Sequence, residues 1–229
     1  MILRIALFGA SGRMGRSIAS QIKDAPDLSL TEAIAHASSL SLGELLYGVP
    51  ISPSLQKDAD LFIDFSLSKS LSVSLAIAKK LKKPLVIGVT GLSEEQMAEL
   101  SAASQKIPIF YSPNFSIGMT LFRRFAREAS KFFQTADLFD LHHEAKRDAP
   151  SGTALQIAKE MQKTPRIHSI RSGAIIGEHR LLLNSEEERI EITHSVQNRA
   201  VFSKGVLTAS RFLFRKDPGL YGMEDLLVY

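Results

Sequence analysis

The start of the chain carries the strongest constraint on its fold: an apolar run from Ile2 to Phe8 breaks at Gly9-Ala10-Ser11-Gly12-Arg13-Met14-Gly15, and an amphipathic stretch follows. A short run of nearly continuous apolar residues suits a parallel strand buried on both faces. Beyond the glycines, Met14, Ile18 and Ile22 recur every fourth position, so Arg13 to Lys23 is predicted to be a helix. Strand, glycine turn and helix in that order open a dinucleotide-binding unit. The turn must be tight, the backbone must approach a pyrophosphate closely, and the helix N-terminus must offer unpaired N–H groups to it. The spacing is G-x-x-G-x-x-G, which a glycine turn without any ligand can also show. Its place after a strand and before a helix is what points to a cofactor.

Composition narrows the classes that remain. With 229 residues, of which 45% are hydrophobic and 23% charged, the chain can bury one large core or two small ones without covalent staples. It contains no cysteine, which excludes thiolate nucleophiles, thioester-forming semialdehyde dehydrogenases, zinc ribbons and disulfide frameworks. Lys and Arg number 28 against 24 Asp and Glu, a net charge of +4, which suits small anions better than nucleic acid. The run Lys79-Lys80-Leu81-Lys82-Lys83 has no interleaved aromatics and reads as a helix C-terminus complementing its dipole. The N-terminal apolar run is too short to span a membrane and lacks the features of a signal peptide, so a cytoplasmic enzyme without membrane contact is expected.

A second strand is predicted over Leu28 to Ala35, ending where an acidic residue would hold the adenosine ribose of NAD. Ala35 and His36 stand there, and Glu32 lies inside the strand. With no acid to repel a 2′-phosphate, and with His36 able to carry charge, NADPH is favoured over NADH. An exposed loop histidine without a ligand is the alternative for His36. Further strands are expected at Leu61 to Phe65, Pro84 to Gly88 and Pro108 to Tyr111, with helices from about Ser68 to Lys83 and after a Ser93/Gln96 capping box. Ligands of parallel sheets bind beyond the strands' carboxyl ends, so the loops Gly88, Val89, Thr90 and Ser112, Pro113, Asn114, Phe115 should line the nicotinamide crevice. A helix from about Ile117 to Phe133 carries Arg123, Arg124 and Arg127, expected on a solvated or intersubunit face.

The segment richest in reactive groups follows a predicted strand from Asp137 to His142: His142-His143-Glu144-Ala145-Lys146-Arg147-Asp148-Ala149-Pro150-Ser151-Gly152-Thr153. Ser151 is placed to N-cap a helix, which would turn Ser151, Gly152 and Thr153 toward an anion such as a carboxylate. Adjacent strand residues face opposite ways, so His142 and His143 should divide their work between chemistry and substrate contact. The pattern alone leaves a surface strand end, a charged loop and a metal site as alternatives, the last lacking a coherent carboxylate set.

Gly12-Arg13-Met14-Gly15, Phe62-Ile63-Asp64-Phe65-Ser66, Gly88-Val89-Thr90-Gly91, Asn114-Phe115-Ser116-Ile117-Gly118, His142-His143-x-x-Lys146 and Asp148-Ala149-Pro150-Ser151-Gly152-Thr153-Ala154 together resemble the 4-hydroxy-tetrahydrodipicolinate (dihydrodipicolinate) reductase family. Gly177-Glu178-His179, Glu191-Ile192-Thr193-His194 and Gly219-Leu220-Tyr221 extend the likeness along nearly the whole chain. The resemblance implies an α/β fold: a Rossmann-type dinucleotide-binding domain, residues 1–115 and 200–229, with an inserted α+β domain, 116–199, that binds substrate and builds a homotetramer. It implies that Gly9, Ala10, Ser11, Gly12, Arg13 and Met14, with the two loops named above, bind NADPH or NADH. His142 and Lys146 would then be the acid/base pair, with His143, Ser151, Gly152 and Thr153 holding the carboxylates of a cyclic imine; no metal is implied.

Three departures accompany the likeness. Ala35 replaces the ribose-reading acid, Glu144 sets a negative charge beside a dianion site where it could pair with Arg147 or lower substrate affinity, and the chain is short around Gln162 to Arg166. Two rival functions remain: another two-domain NAD(P)H-dependent reductase of an imine or amino-acid precursor, and a dinucleotide-binding regulator without turnover. The regulator would need neither His142 nor Lys146.

Overall fold

Side-chain alternation along β1 (Leu3–Phe8) sets the layers of the first half of the molecule. Ile5 and Leu7 enter one apolar cluster, while Ala6 and Phe8 enter the other, as a central strand buried on both faces requires. The computed structural model describes residues 2–227. After β1 come α1 (Arg13–Lys23), β2 (Leu28–Ile34), β3 (Leu45–Leu46), β4 (Val49–Ser52), β5 (Leu61–Asp64), α2 (Leu71–Leu81), β6 (Leu85–Ile87), α3 (Glu94–Ser104) and β7 (Pro108–Tyr111). The order continues with α4 (Ile117–Ala129), β8 (Thr135–His142), α5 (Gly152–Glu160), β9 (Arg166–Arg171), β10 (Glu178–Asn184), β11 (Arg189–Ser195), α6 (Ala200–Leu213) and β12 (Gly219–Tyr221). These elements form two compact units, one running up to Phe115 and resuming at Phe202, the other Ser116–Val201.

The first unit is an eight-stranded sheet in the order β12-β7-β6-β5-β1-β2-β4-β3. Every pair is parallel except β3 with β4. Because β5 and β2 flank β1 on opposite sides, the winding reverses at β1, the point at which such sheets open a crevice at their carboxyl ends. Ile63, Val86 and Phe110 join Ile5 and Leu7 on one face with Ile18, Ile22, Val206 and Leu213 of α1 and α6. Phe62, Leu85 and Ile109 lie on the other face with Leu71, Leu75 and Leu100 of α2 and α3.

The second unit is a four-stranded sheet in the order β11-β10-β8-β9. Its core joins Leu138, Leu181 and Leu183 to Met119, Phe122 and Ala126 of α4 and to Ala154 and Ile157 of α5. Helices therefore cover one face. On the other, Phe139 stacks on His168 with ring centroids 4.8 Å apart, and Ile170 is 40% exposed.

Two helices differ from their expected extents. A 3-10 turn, Ser68–Ser70, precedes α2, which stops where Lys82 turns left-handed with φ 53°; Lys83 then pairs with Asp58 at 3.1 Å. The apolar periodicity of α4 runs on to Phe133, but the helix ends at Ala129. Ser130, fully buried, donates to Arg127 O and accepts from Gln162 N, which draws the chain out of the helix. No helix among the described residues is long and apolar enough to cross a membrane.

Candidate active site

In the first unit the glycine turn after β1 is shaped by close packing. Gly9 has φ +79°, and a Cβ there would meet the Phe65 carbonyl, while one on Gly15 would collide with Gly9 O. The N–H groups of Gly9 and Ala10 both donate to Ile34 O, at 2.9 and 3.0 Å, which ties the turn to the end of β2. Gly12 N-caps α1 without a side chain to occupy the first turn, so backbone donors there stay available to an anion. This cradle of small residues fits a dinucleotide pyrophosphate. Ser11, Arg13 and Met14 lie on it, and Arg16 closes it against the β2–β3 loop by bonds to Ser11 O, Ser41 Oγ and Glu44.

The loops after β5, β6 and β7 meet beside it. Asp64, fully buried, accepts from Ser66 N at 2.8 Å and from Ser74 Oγ; burial pushes its carboxyl above the usual range. A Cβ on Gly88 would strike the Phe65 ring, and Phe65 in turn packs on Phe115 with centroids 5.4 Å apart. Ser112 Oγ accepts from Asn114 N and donates to Asn114 O, setting the turn that contains Pro113. Val89 and Phe115 are each 2% exposed and pack inward, whereas Thr90 and Pro113 are exposed. At the tip of β2, Ala35 is buried and His36 is exposed, its Nδ1 2.7 Å from Ser38 Oγ. Glu32 is spent on structure, accepting Gln56 N at 2.8 Å.

In the second unit the reactive groups gather at the carboxyl end of β8, on its helix-covered face. Asp140 and His142 continue the alternation of Ala136 and Leu138. Pairing sets His179 opposite Asp140 and His194 opposite His179, while Ser169 and Arg171 lie opposite Asp140 and His142 from β9. Four strands thereby bring widely separated residues into one cluster.

Asp140 is its centre. One oxygen, Oδ2, accepts Ser151 N at 2.8 Å and Arg171 Nη2 at 3.1 Å. The other, Oδ1, lies 3.0 Å from His142 Nδ1 and 3.4 Å from His179 Nε2. The His142 contact has hydrogen-bond length but is off the bonding direction, a looseness common in active sites before a ligand arrives. Burial works to raise the Asp140 carboxyl, but His179, the Ser151 N–H and Arg171 together hold it well below the usual carboxylate range. Burial pushes His142 down to about 4, Asp140 opposing and His179, Lys146 and Arg171 assisting. His142 is therefore a neutral imidazole at neutral pH.

Ser151 caps α5 by accepting Ala154 N at 3.1 Å. Its own N–H is held by Asp140, which leaves Gly152 and Thr153 to present the first-turn donors. His143 lies just past β8, and its carbonyl accepts Lys146 N at 3.1 Å. The structure thus groups His142, Lys146, Ser151, Gly152 and Thr153. Two expectations are corrected. Glu144 does not pair with Arg147: its Oε1 accepts Gly173 N at 3.1 Å, so its charge is met by backbone. Arg123 is not a solvated face residue, because its guanidinium forks onto Glu160 and binds α4 to α5.

Sequence reasoning passed over Asp140, Arg171 and His179 as working groups. Asp140 alone left a local signal, two residues before His142 on the same strand face. Asp140, His142 and His179 also form a group with donor atoms within 4.8 Å of one another, the spacing of a metal site. Here the Arg171 guanidinium and the Ser151 N–H already supply positive charge to the carboxylate.

Comparison with known proteins shows the family of the chain. Two family models match in tandem: "Dihydrodipicolinate reductase, N-terminus" over residues 3–115 and "Dihydrodipicolinate reductase, C-terminus" over residues 118–227. A 4-hydroxy-tetrahydrodipicolinate reductase of Pseudoalteromonas atlantica is 36% identical over 98% of each chain. One from Caldanaerobacter subterraneus is 36% identical over 99% of each. The first alignment runs over 262 positions against 229 residues here, so that relative carries insertions this chain lacks. Among solved structures, a dipicolinate-bound dihydrodipicolinate reductase from Paenisporosarcina superposes with a TM-score of 0.85, at 24% identity, over 98% of this chain and 99% of that one.

Proposed function

The chain belongs to the dihydrodipicolinate reductase family, and from that premise we propose that it reduces 4-hydroxy-tetrahydrodipicolinate, by way of the dehydrated cyclic imine, to tetrahydrodipicolinate in lysine and diaminopimelate biosynthesis. The observation that carries the reading is the cluster at the end of β8, where His142, Lys146 and the start of α5 offer a proton-transfer group, a cation and anion-binding N–H groups together.

The cofactor is a reduced nicotinamide dinucleotide, NADPH in preference to NADH, held by Gly9 to Met14 and by the loops at Gly88 to Thr90 and Ser112 to Phe115, with His36 near the ribose. Bound there, it supplies a hydride to C4 of the conjugated ring. The chain's own groups do the rest. Gly152 and Thr153 N–H groups, with His143 and Lys146, hold the two carboxylates and offset a charge that otherwise opposes hydride addition. His142 and Lys146 then provide the proton that the electron-rich ring collects. Neutral in the free protein, His142 takes up that proton when a dianion arrives, because neighbouring negative charge raises an imidazole's pKa.

The first unit is accordingly the dinucleotide domain and the second the substrate domain. The uncovered face of the second sheet, around Phe139, His168 and Ile170, is the surface through which four copies assemble. Light scattering on the purified protein tests that assembly, and a monomer would refute it. The enzyme works in the cytoplasm on a small-molecule substrate, without a metal. Oxidation of reduced nicotinamide by freshly generated substrate, followed by absorbance, tests the activity.

A further inference from the structure

Asp140 has no solvent exposure, yet every donor around it belongs to a different part of the site. Its Oδ2 is saturated by Ser151 N and Arg171 Nη2. Two imidazole nitrogens face its Oδ1, His142 Nδ1 nearer at 3.0 Å and His179 Nε2 at 3.4 Å. A buried carboxylate oxygen left without a donor is costly. If His142 carried its proton on Nε2, two acceptors, Nδ1 and Oδ1, would lie 3.0 Å apart with no proton between them, whereas a proton on Nδ1 needs only a small ring rotation to meet the carboxylate.

We propose that Asp140 is a positioning residue for proton transfer: its Oδ1 fixes a proton on His142 Nδ1, which makes Nε2 the working nitrogen, while its Oδ2 moors the start of α5 to the same strand.

Gly177 marks where that nitrogen points. A Cβ on Gly177 would lie 3.2 Å from His142 Nε2, so glycine keeps the approach to Nε2 open. Arg171 completes the mooring, donating also to the carbonyls of Asp140 at 3.0 Å and Asp148 at 2.5 Å. One carboxylate thus sets the imidazole tautomer and ties it to the groups proposed to hold substrate. The same logic operates where a buried aspartate orients a catalytic histidine in serine proteases.

The proposal rests on the acid/base reading of His142, and its test is separable from that reading. Histidine ring-nitrogen NMR on the full-length protein, above pH 6 and without substrate, reports the His142 tautomer directly. The expected result is Nδ1–H. In Asp140→Asn the side-chain amide can donate to Nδ1, so the tautomer should move to Nε2–H and kcat should fall about 10²- to 10⁴-fold. Dinucleotide affinity should stay within twofold, since the cradle belongs to the other unit. An Nε2–H tautomer in the unmutated protein would overturn the proposal even if Asp140→Asn does not fold. So would an Asp140→Asn variant that keeps both the Nδ1–H tautomer and kcat within twofold. Failure of the acid/base reading would show instead as undiminished turnover in a His142 variant.

Discussion

Lys146 and Asp148, separated by one residue, form an ion pair in which Nζ lies 2.7 Å from Oδ1 and 2.9 Å from Oδ2. The lysine is largely covered, whereas the aspartate is 58% exposed. A solvated partner of this kind is worth little and exchanges readily for another carboxylate. Lys146→Met is therefore expected to lower kcat about 10²- to 10⁴-fold, the scale of losing a proton-transfer group. Asp148→Asn should cost less than about tenfold, because the pair it breaks is solvated. Steady-state kinetics of the two variants separate these outcomes; equal losses would make Asp148 a participant.

The depressed His142 makes ligand binding proton-linked. Burial, helped by His179 from β10, Lys146 from the following turn and Arg171 from β9, outweighs Asp140 from β8 and leaves it neutral above about pH 4. A dicarboxylate such as dipicolinate reverses that balance, so its binding at pH 6 to 7 should take up about one proton per site. Calorimetry in buffers of differing ionisation enthalpy measures the uptake, and His142→Gln should abolish it. Stability carries the same sign. An unfolded histidine protonates near about 6.5, the folded one only near about 4, so the unfolded state binds the proton first and stability is lost as pH falls through that window. His142→Gln should flatten that part of the melting-temperature profile.

Cofactor choice follows from the tip of β2. Ala35 offers no carboxylate, Glu32 is committed to Gln56 N, and His36 is exposed beside Ser38. NADPH should give the higher kcat/KM at low salt, and His36→Ala should narrow the gap. An NADH preference unmoved by the substitution would contradict this assignment.

The Asp140, His142 and His179 group has metal-site spacing, but the account assigns it to hydrogen bonding. Dialysis against a strong chelator should leave kcat unchanged within about twofold, since no metal-bound group enters the chemistry. A loss restored by zinc would turn the cluster into a metal centre.

The cofactor unit was largely legible in the sequence because its signals are local. Met14, Ile18 and Ile22 mark α1, Ser93 and Gln96 form the expected capping box, and each buried strand ends at a loop that the fold makes useful. The stretch from His142 to Thr153 was legible for the same reason. Arg171 and His179 were not, since their roles come from β8 pairing with β9 and β10, a non-local register that no spacing encodes, and Asp140 left only its position two residues before His142 on the same strand. Glu144 misled because its partner, Gly173, lies beyond β9 and uses a backbone N–H. The end of α4 was missed because Ser130 obeys a tertiary bond from Gln162 rather than the helical period.

The most direct measurement is the rate at which reduced nicotinamide is consumed when freshly generated 4-hydroxy-tetrahydrodipicolinate is supplied to the wild-type chain and to His142→Ala. The account predicts steady oxidation by the wild type and a fall in kcat of about 10²- to 10⁴-fold in the variant. A wild-type chain that leaves the nicotinamide absorbance unchanged, or a His142→Ala variant that matches the wild-type rate, would contradict it.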